Sequence, residues 1–225
     1  MQTAVAIRSE RFHKTIAKRT KRIYDHLSAI YPASTFFFHS KAHRIALEMS
    51  ELQDGMHVLE VATGSGEMFR RLVKSNPDGH TCGVDLSPNM AARTQAHARK
   101  KFPEARLHCQ AVDARALPYK NESFDSIFCC YLFELLSTDD VYLTMEEMQR
   151  VLKPRGKLTA ILIGQQVEFF NKAYLVAASM VPAFWGRQVD SSAHGILEET
   201  GFRVTQERLV RQGFYPSRIL TAIKD

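Results

Sequence analysis

Apolar and polar residues alternate along this chain in two different periods, which together predict a repeating order of strands and helices. Short apolar runs predict strands near residues 57–62, 80–85, 106–111, 124–130 and 157–163. Helical spacing predicts helices near residues 66–75, 88–101 and 140–152. Strands that alternate with helices in this way predict a parallel sheet with right-handed crossovers. Two late apolar runs, Phe202–Val210 and Phe214–Ile223, predict a closing pair of strands.

The residues before the first predicted strand favour two helices. Apolar residues recur at helical spacing over residues 12–30, and lysines and arginines occupy the other faces of this predicted amphipathic helix. Pro32 is expected to end it, and Ser34 or Thr35 is expected to cap a second helix that runs to about residue 51.

A chain of 225 residues that is 45% hydrophobic can bury one α/β core, so a single domain is predicted over residues 1–225. Its expected parts are an N-terminal helical cap (1–52), a binding core (53–163), an insertion on the acceptor side (164–200) and the closing strand pair (201–225).

The most specific chemistry lies where the first three predicted strands end. Gly64 and Gly66 follow the first strand, Asp85 ends the second about twenty residues on, and Asp113 follows the third. Glycines let backbone amides approach a bound group, and an acidic residue at this distance suits the hydroxyls of a ribose. These three strand ends therefore predict a nucleoside-binding edge.

The motifs at these strand ends, and two that follow them, resemble the class I S-adenosylmethionine-dependent methyltransferases, most closely the ubiquinone, menaquinone and phospholipid methyltransferase group. The matching segments are residues 59–66, 83–90, 113–118, 123–127 and 151–158. The resemblance implies a Rossmann-like α/β fold, with a seven-stranded, mostly parallel sheet that has one antiparallel strand and helices on both faces. One residue departs from the family pattern, because Ala62 stands where a glycine is usual. We expect a slightly tighter turn there, with binding retained.

The resemblance also implies S-adenosylmethionine as the cofactor and a set of residues around it. Glu60 is expected to accept a hydrogen bond from the methionyl amine, Asp85 from both ribose hydroxyls and Asp113 from the adenine amino group. Two alternatives stay open, namely that Glu60 interacts with a helix dipole and that Met90 belongs to the core. The remaining members of the implied set are Ala62, Thr63, Gly64, Gly66, Leu86, Met90, Ala114, Cys130 and Tyr131.

Methyl transfer is a direct displacement, so a general base is needed only when the accepting atom is protonated. Sequence position suggests Glu134, His39, His43 and His194 as candidate bases, although a residue of this kind is more often structural or solvated. Tyr24 could close over the methionyl carboxylate. His39 and His43 lie one helical turn apart, but no third ligand completes a metal site, so no metal is predicted.

The cysteines and the charge limit the remaining classes. Four cysteines without a CxxC spacing predict free thiols in a reducing compartment, and no apolar run reaches the length of a membrane span. The protein is therefore expected in the cytoplasm, with peripheral contact at the inner face of a membrane as a further expectation. A net charge of +6 does not by itself choose between nucleic acid, anionic membrane and acidic small molecules. The residues 129–132, Cys-Cys-Tyr-Leu, replace the polar turn of base-methylating enzymes, so no nucleic-acid partner is expected.

The acceptor is expected to be apolar. Residues 167–185 are strongly apolar, and Phe36, Phe37 and Phe38 add a second cluster in the predicted cap. Both could line a pocket for an isoprenoid or acyl tail or lie on a bilayer, or they could pack on the sheet. A polyprenyl quinol or a phospholipid amine is the leading acceptor, and a soluble small molecule is the alternative. A protein that binds S-adenosylmethionine without transferring a methyl group remains a rival, and the oligomeric state stays open.

Overall fold

The computed structural model describes residues 31–164, 192–213 and 215–225, with side chains in the first range from His39 onward. The helices are α1 (Tyr31–Ser50), α2 (Glu67–Ser75), α3 (Pro88–Lys101), α4 (Thr138–Val151) and α5 (Ala193–Glu199). The strands are β1 (His57–Val61), β2 (His80–Asp85), β3 (Arg106–Ala111), β4 (Phe124–Cys130), β5 (Leu152–Ile163), β6 (Phe202–Gln212) and β7 (Tyr215–Lys224). A short 3-10 helix covers Phe133–Leu135.

These seven strands form one sheet in the order β3-β2-β1-β4-β5-β7-β6. The pairs from β3 to β5 are parallel, whereas β7 is antiparallel to both β5 and β6. The predicted fold, a mostly parallel seven-stranded sheet with one antiparallel strand, is confirmed. Because β7 runs against its neighbours, its first residues lie at the edge where the parallel strands end.

The central strands β1, β2 and β4 are buried on both faces, as expected for parallel strands with crossover helices. Leu59 and Val61 point to the face covered by α4 and α5, and Val58 points to the face covered by α1 and α2. Phe69 joins α2 to α3 and β3 on that second face. Alternate residues of β1 therefore serve two separate cores, which explains why its sequence is almost continuously apolar.

The start of the first described helix differs from the prediction. Ser34 or Thr35 was expected to cap it after Pro32 had ended a preceding helix, but α1 already includes Tyr31 and Pro32. Proline is well tolerated in the first turn of a helix, where its missing N–H has no intrahelical partner to lose. Pro32 thus belongs to the first turn of α1. The predicted amphipathic helix over residues 12–30 lies outside the described residues.

The predicted insertion is described only at its end. Residues 165–191, which include the apolar run of 167–185, lie outside the described residues. The following helix α5 places Ala193, Ile196 and Leu197 in the core beside α4, so the last part of this segment packs against the sheet. In the described part of the chain, we find no helix with the length and apolar character that a membrane span requires.

Candidate active site

The strand order reverses at β1, which lies between β2 and β4. In open α/β sheets, ligands bind in the crevice at the carboxyl ends of the strands beside such a reversal. Glu60, Asp85 and Tyr131 all lie at these carboxyl ends, in or directly after β1, β2 and β4. The topology thus brings together residues that are far apart in the sequence.

The turn after β1 has a left-handed backbone at three positions. Ala62 has φ 64°, Gly64 has φ 48° and Gly66 has φ 72°. The backbone N–H groups of Ala62 and Thr63 both donate to the Val84 carbonyl, at 2.9 and 3.1 Å, which anchors the turn on β2. Left-handed backbone favours glycine, so the conformation of Ala62 explains why glycine is usual at this position.

Gly66 is also required by the packing of two helices. A Cβ atom at this position would lie 2.7 Å from the Thr94 Oγ1 atom of α3. The glycine therefore lets α2 begin in direct contact with α3, and the first amides of α2 point toward the crevice.

Asp85 is held in place by backbone donors from both sides. Its Oδ2 atom accepts from the Gly64 N–H at 2.7 Å, and its Oδ1 atom accepts from the Ser87 N–H at 2.9 Å. Ser87 in turn caps α3 by accepting from the Met90 N–H. Each carboxylate oxygen has two lone pairs, so a carboxylate oriented in this way can also accept from the two hydroxyls of a ribose.

Glu60 is the most unusual carboxyl group of the crevice. It is 1% exposed, and its Oε2 atom has no hydrogen-bond partner among the described residues. Burial and then the nearby charge of Asp85 raise its pKa well above the usual range, although Arg70 acts in the opposite direction. A buried carboxyl group without a partner is costly, and an ammonium group would satisfy it. The crevice therefore fits the cationic amino-acid end of S-adenosylmethionine, and Asp85 fits its ribose.

The segment after β3 is fixed by an arginine that sequence reasoning missed. Arg115 binds both oxygens of Asp113, with nitrogen–oxygen distances of 2.9 and 2.6 Å, and reaches Asp140 of α4 at 2.7 Å. Its hydrogen bonds, which outweigh partial burial, lower the pKa of Asp113. The carboxylate expected to contact an adenine amino group is thus ionised and already bound by a guanidinium, which holds its loop against α4.

Leu86 and Met90, two members of the implied cofactor set, occupy different environments. Leu86 is 38% exposed at the end of β2, so its side chain can contact a ligand, whereas Met90 is 1% exposed within α3. This burial favours the alternative reading, in which Met90 belongs to the core. Ala114 is partly buried against the core beside α4.

On the other side of the crevice, aromatic residues from three elements meet. Tyr131 follows β4 with a left-handed φ of 56°, and its ring stacks on His39 of α1 at 4.1 Å between centroids. The Tyr131 hydroxyl and the Ser217 Oγ atom are 2.7 Å apart, and the Tyr215 ring is 5.0 Å from His39. These contacts join α1, the end of β4 and the start of β7.

His43 lies one turn beyond His39 and is 4% exposed. Its Nδ1 atom is 3.6 Å from the Oε2 atom of Glu67, the first residue of α2. The other oxygen of Glu67 accepts from Arg71 at 2.8 Å. Burial would raise the pKa of Glu67, but His43 and Arg71 outweigh it and lower that pKa to about 2.

The other candidate bases are less suited to accept a proton. Burial and then His43 lower the pKa of His39 to about 3, which makes it a weak base. Glu134 is buried and accepts from the Ile163 N–H at 2.6 Å. His194 lies 2.8 Å from Glu207 of β6, near the far edge of the sheet. Tyr24 lies outside the described residues.

The cysteines are free thiols. Burial, followed by the charge of Glu60, raises the pKa of Cys130 well above its usual range, so the thiol stays protonated. Cys130 is therefore unsuited to nucleophilic attack. Across residues 31–164, 192–213 and 215–225 no group of three or more histidine, cysteine, aspartate or glutamate side chains could hold a metal ion.

Sequence reasoning also missed Glu67, Tyr215 and Ser217. Glu67 resembles an ordinary acidic residue in a first helical turn, and only the packing of α1 shows its histidine partner. Tyr215 and Ser217 could have been found from one signal, since the first residues of an antiparallel strand lie at the carboxyl edge of its parallel neighbours.

Comparison with known proteins agrees with this geometry. Residues 58–156 match a protein family described as a methyltransferase domain. A demethylmenaquinone methyltransferase from Listeria welshimeri is 30% identical over 158 residues, which cover 68% of this chain and 63% of that protein. A 2-phytyl-1,4-naphtoquinone methyltransferase from Nostoc is 25% identical over 169 residues, which cover 71% of this chain and 73% of that protein.

A solved structure shares the fold over most of its length. The crystal structure of a SAM-dependent methyltransferase from Aquifex aeolicus matches with a TM-score of 0.65 and 22% identity, covering 93% of this chain and 98% of that chain. The sheet order and the crevice define a Rossmann-like class I methyltransferase fold. Residues 58–156 match the methyltransferase-domain family, and this match, the quinone methyltransferase relatives and the shared fold together confirm the resemblance of the motifs.

Proposed function

We propose that this protein transfers a methyl group from S-adenosylmethionine to the ring of a polyprenyl quinol. When bound, S-adenosylmethionine supplies a methyl group that its positively charged sulfur has already activated. The protein has to bind this group, align an acceptor behind the methyl carbon and exclude water, and such alignment is worth effective molarities of about 10⁵–10⁸ M.

The observation that carries the proposal is the pair of carboxylates at the ends of β1 and β2. The partnerless Oε2 atom of buried Glu60 suits the ammonium group, and Asp85, fixed by two backbone amides, suits the ribose. The left-handed turn at 62–66 brings backbone amides to the same crevice. We assign the adenine to the space beside Leu86 and the loop that begins at Asp113.

The quinol acceptor is supported by the relatives and by the character of the other wall. Relatives from Listeria and Nostoc are named for methylating demethylmenaquinone and 2-phytyl-1,4-naphtoquinone. His39, Tyr131 and Tyr215 form a cluster of aromatic rings with polar groups on this wall, and such a cluster suits a planar aromatic ring with hydroxyl groups.

Binding of the cofactor is tested by calorimetry with S-adenosylhomocysteine, which keeps both the amine and the ribose. We expect wild-type protein to bind, and Glu60→Gln to weaken binding by about 1.5–3 kcal/mol, because a charged hydrogen bond is lost. Arg44→Ala, a change at an exposed side chain of α1 that pairs with Glu48, is the control. Equal affinities for wild type and Glu60→Gln would contradict the assignment of the amine site.

The acceptor is tested with radiolabelled S-adenosylmethionine, a membrane-lipid extract and a parallel soluble-metabolite extract. Label in the organic phase that migrates with a naphthoquinone on chromatography would support the quinol, and label in a phospholipid would replace it with a head-group amine. Label only in the aqueous fraction would favour a soluble acceptor. Tight binding without any label transfer would leave a cofactor-binding protein without methyltransferase activity.

A further inference from the structure

His43 and Glu67 face each other at the junction of α1 and α2. The His43 Nδ1 and Glu67 Oε2 atoms are 3.6 Å apart, both are buried, and neither has a hydrogen-bond partner among the described residues. A small side-chain rotation would bring them within hydrogen-bond distance. Arg71 holds the other oxygen of Glu67 at 2.8 Å and also donates to the Ser40 Oγ atom at 3.1 Å, so α1 and α2 are fixed around the pair.

This pair lies on the acceptor side of the crevice. The ring of Tyr131, directly after β4, is 6.2 Å from the ring of His43. The negative charge of Glu67 contributes to the raised pKa of Glu60 in β1 and of Cys130 at the end of β4. His43 is therefore beside the strand ends between which we assign the methyl-transfer point.

We propose that His43, oriented by Glu67, takes the proton that the acceptor releases during methyl transfer. With its Nδ1–H directed at Glu67, the imidazole carries its lone pair on Nε2, which is the atom that accepts the proton. A nucleophile, its base and a third group that orients the base form a recurrent catalytic arrangement. This inference rests on the proposed function and assigns a residue to its proton transfer.

The step balances for a quinol. The hydroxyl proton moves to the His43 Nε2 atom, the ring carbon forms a bond to the methyl carbon, and the sulfur–methyl bond breaks with its electron pair left on sulfur. The hydrogen on that ring carbon then leaves as a proton to water, and His43 returns its proton to the ring oxygen. The products are the methylated quinol, a neutral thioether and one proton.

Electrostatics favour His43 over its neighbour His39. As the sulfur loses its positive charge, the imidazole gains one, and a carboxylate 3.6 Å away stabilises it. Glu67 is ionised for this role because its pKa is about 2. Among the described residues, His39 forms no ion pair with a carboxylate, and its pKa is about 3. The charged and titratable groups around the pair are His39 on α1, Glu67, Arg70 and Arg71 on α2, Glu60 on β1, and Cys130 and Tyr131 at the end of β4.

The test compares His43→Gln and Glu67→Gln with wild type, with Arg44→Ala as a control one residue away on α1. The probe is a 2-prenyl-1,4-naphthoquinol with a short side chain, kept reduced. We expect His43→Gln to lower kcat by about 10²–10⁴-fold and to abolish the acidic limb of the kcat profile against pH. Its affinity for S-adenosylhomocysteine should stay within twofold of wild type. Glu67→Gln should lower kcat about tenfold and move the acidic limb to lower pH.

A readout without catalysis follows the His43 imidazole signal by NMR in ¹³C-histidine-labelled protein. In Glu67→Gln the signal should titrate at lower pH than in wild type, because the imidazolium loses its carboxylate. This measurement tests the interaction between His43 and Glu67 even if the His43→Gln variant does not fold.

Three results would overturn the inference. One is an active His43→Gln with an unchanged pH profile. The second is a loss of kcat in His43→Gln that is matched by equal losses of S-adenosylhomocysteine affinity and thermal stability, which would make the pair a structural contact. The third is an unchanged His43 titration in Glu67→Gln. Wild-type protein that transfers no methyl group to any acceptor would instead refute the proposed function.

Discussion

The two walls of the crevice are built in different ways. The β1–β2 wall comes from two nearby segments, residues 60–66 and 83–88, and backbone amides position its carboxylate. The opposite wall is assembled from side chains at positions 39, 43, 67, 131 and 215, which come from α1, α2, β4 and β7. A wall made from backbone tolerates little change in its turn. A wall made from side chains can change its chemistry one residue at a time.

The largest effect is expected for Asp85→Ala. The change removes the acceptor of the Gly64 and Ser87 N–H groups together with the proposed ribose ligand. Affinity for S-adenosylhomocysteine should fall at least tenfold and up to about 100-fold, since a hydrogen bond to a charged group contributes about 1.5–3 kcal/mol. Calorimetry measures it, with Asp85→Asn as the milder comparison. Unchanged affinity in Asp85→Ala would show that the ribose site is assigned wrongly.

Gly66→Ala tests whether the backbone wall is as intolerant as its geometry indicates. The new Cβ atom would lie 2.7 Å from the Thr94 Oγ1 atom, on a backbone with φ 72°. We expect the free energy of unfolding to fall by about 1–3 kcal/mol, from the left-handed strain and the overpacking together. Urea denaturation measures this change. Adding Thr94→Ala should recover part of the loss, and no recovery would mean that strain alone is responsible.

Glu60→Gln should make the stability of the ligand-free protein less dependent on pH. The pKa of Glu60 is raised well above its value of 4.5 in an unfolded chain, so its favourable contribution is complete below pH 4.5 and is lost as the pH rises above that value. A glutamine does not titrate. The stability of Glu60→Gln relative to wild type should therefore increase from pH 5 toward pH 8, by about 1.4 kcal/mol for each pH unit below the folded-state pKa of Glu60.

Thermal unfolding of the two proteins without ligand, over that pH range, measures the difference. A constant difference between the two proteins would mean that Glu60 is already ionised and paired in the folded chain.

Ala62→Gly should have the smallest effect, and its sign is opposite to that of Gly66→Ala. Ala62 has φ 64°, and a left-handed residue other than glycine costs about 1–2 kcal/mol. Glycine has greater conformational freedom in the unfolded chain, and this offsets about 0.5–1 kcal/mol of the stabilisation gained when the backbone strain is removed. The net gain in the free energy of unfolding should be a few tenths of a kcal/mol, measured in urea beside Arg44→Ala. A loss of stability would contradict the strain at this position.

Features that depend on a local segment of the chain could be predicted from the sequence, whereas features that depend on packing between distant segments could not. The strands up to β4 were predicted to within one residue, because apolar runs and turn signals are local. β5 begins at Leu152 instead of near 157, since a register shift beside Phe124 extends its pairing across the Lys-Pro-Arg-Gly segment. The early start of α1 was missed because Pro32 can either end one helix or occupy the first turn of another.

The residues of the candidate site also divide into those set by local motifs and those set by contacts between distant elements. Glu60 and Asp85 belong to motifs with a fixed spacing, so their places at the strand ends could be predicted. Pairs such as His43 with Glu67, or Tyr131 with Ser217, depend on which helix covers the sheet and which strand is reversed. These pairs could therefore be recognised only from the three-dimensional packing. The roles of the basic helix over residues 12–30 and of the apolar run of 167–185 stay predictions, since both segments lie outside the described residues.

The reversed direction of β7 also bears on the acceptor site proposed above, because it brings the β6–β7 hairpin to the same edge of the sheet. The β6–β7 hairpin turns at the carboxyl edge, where Lys41 of α1 donates to the Gln212 side chain and to the Arg211 carbonyl. The end of β6 and α1 are therefore joined to each other by hydrogen bonds. The motifs of β1 and β2 take no part in these bonds, so α1 and the hairpin could be exchanged together without changing them. A chimera that takes both pieces from one relative should acquire a new acceptor preference without rebuilding the nucleoside site. A chimera that takes only one of them would separate Lys41 from its partners.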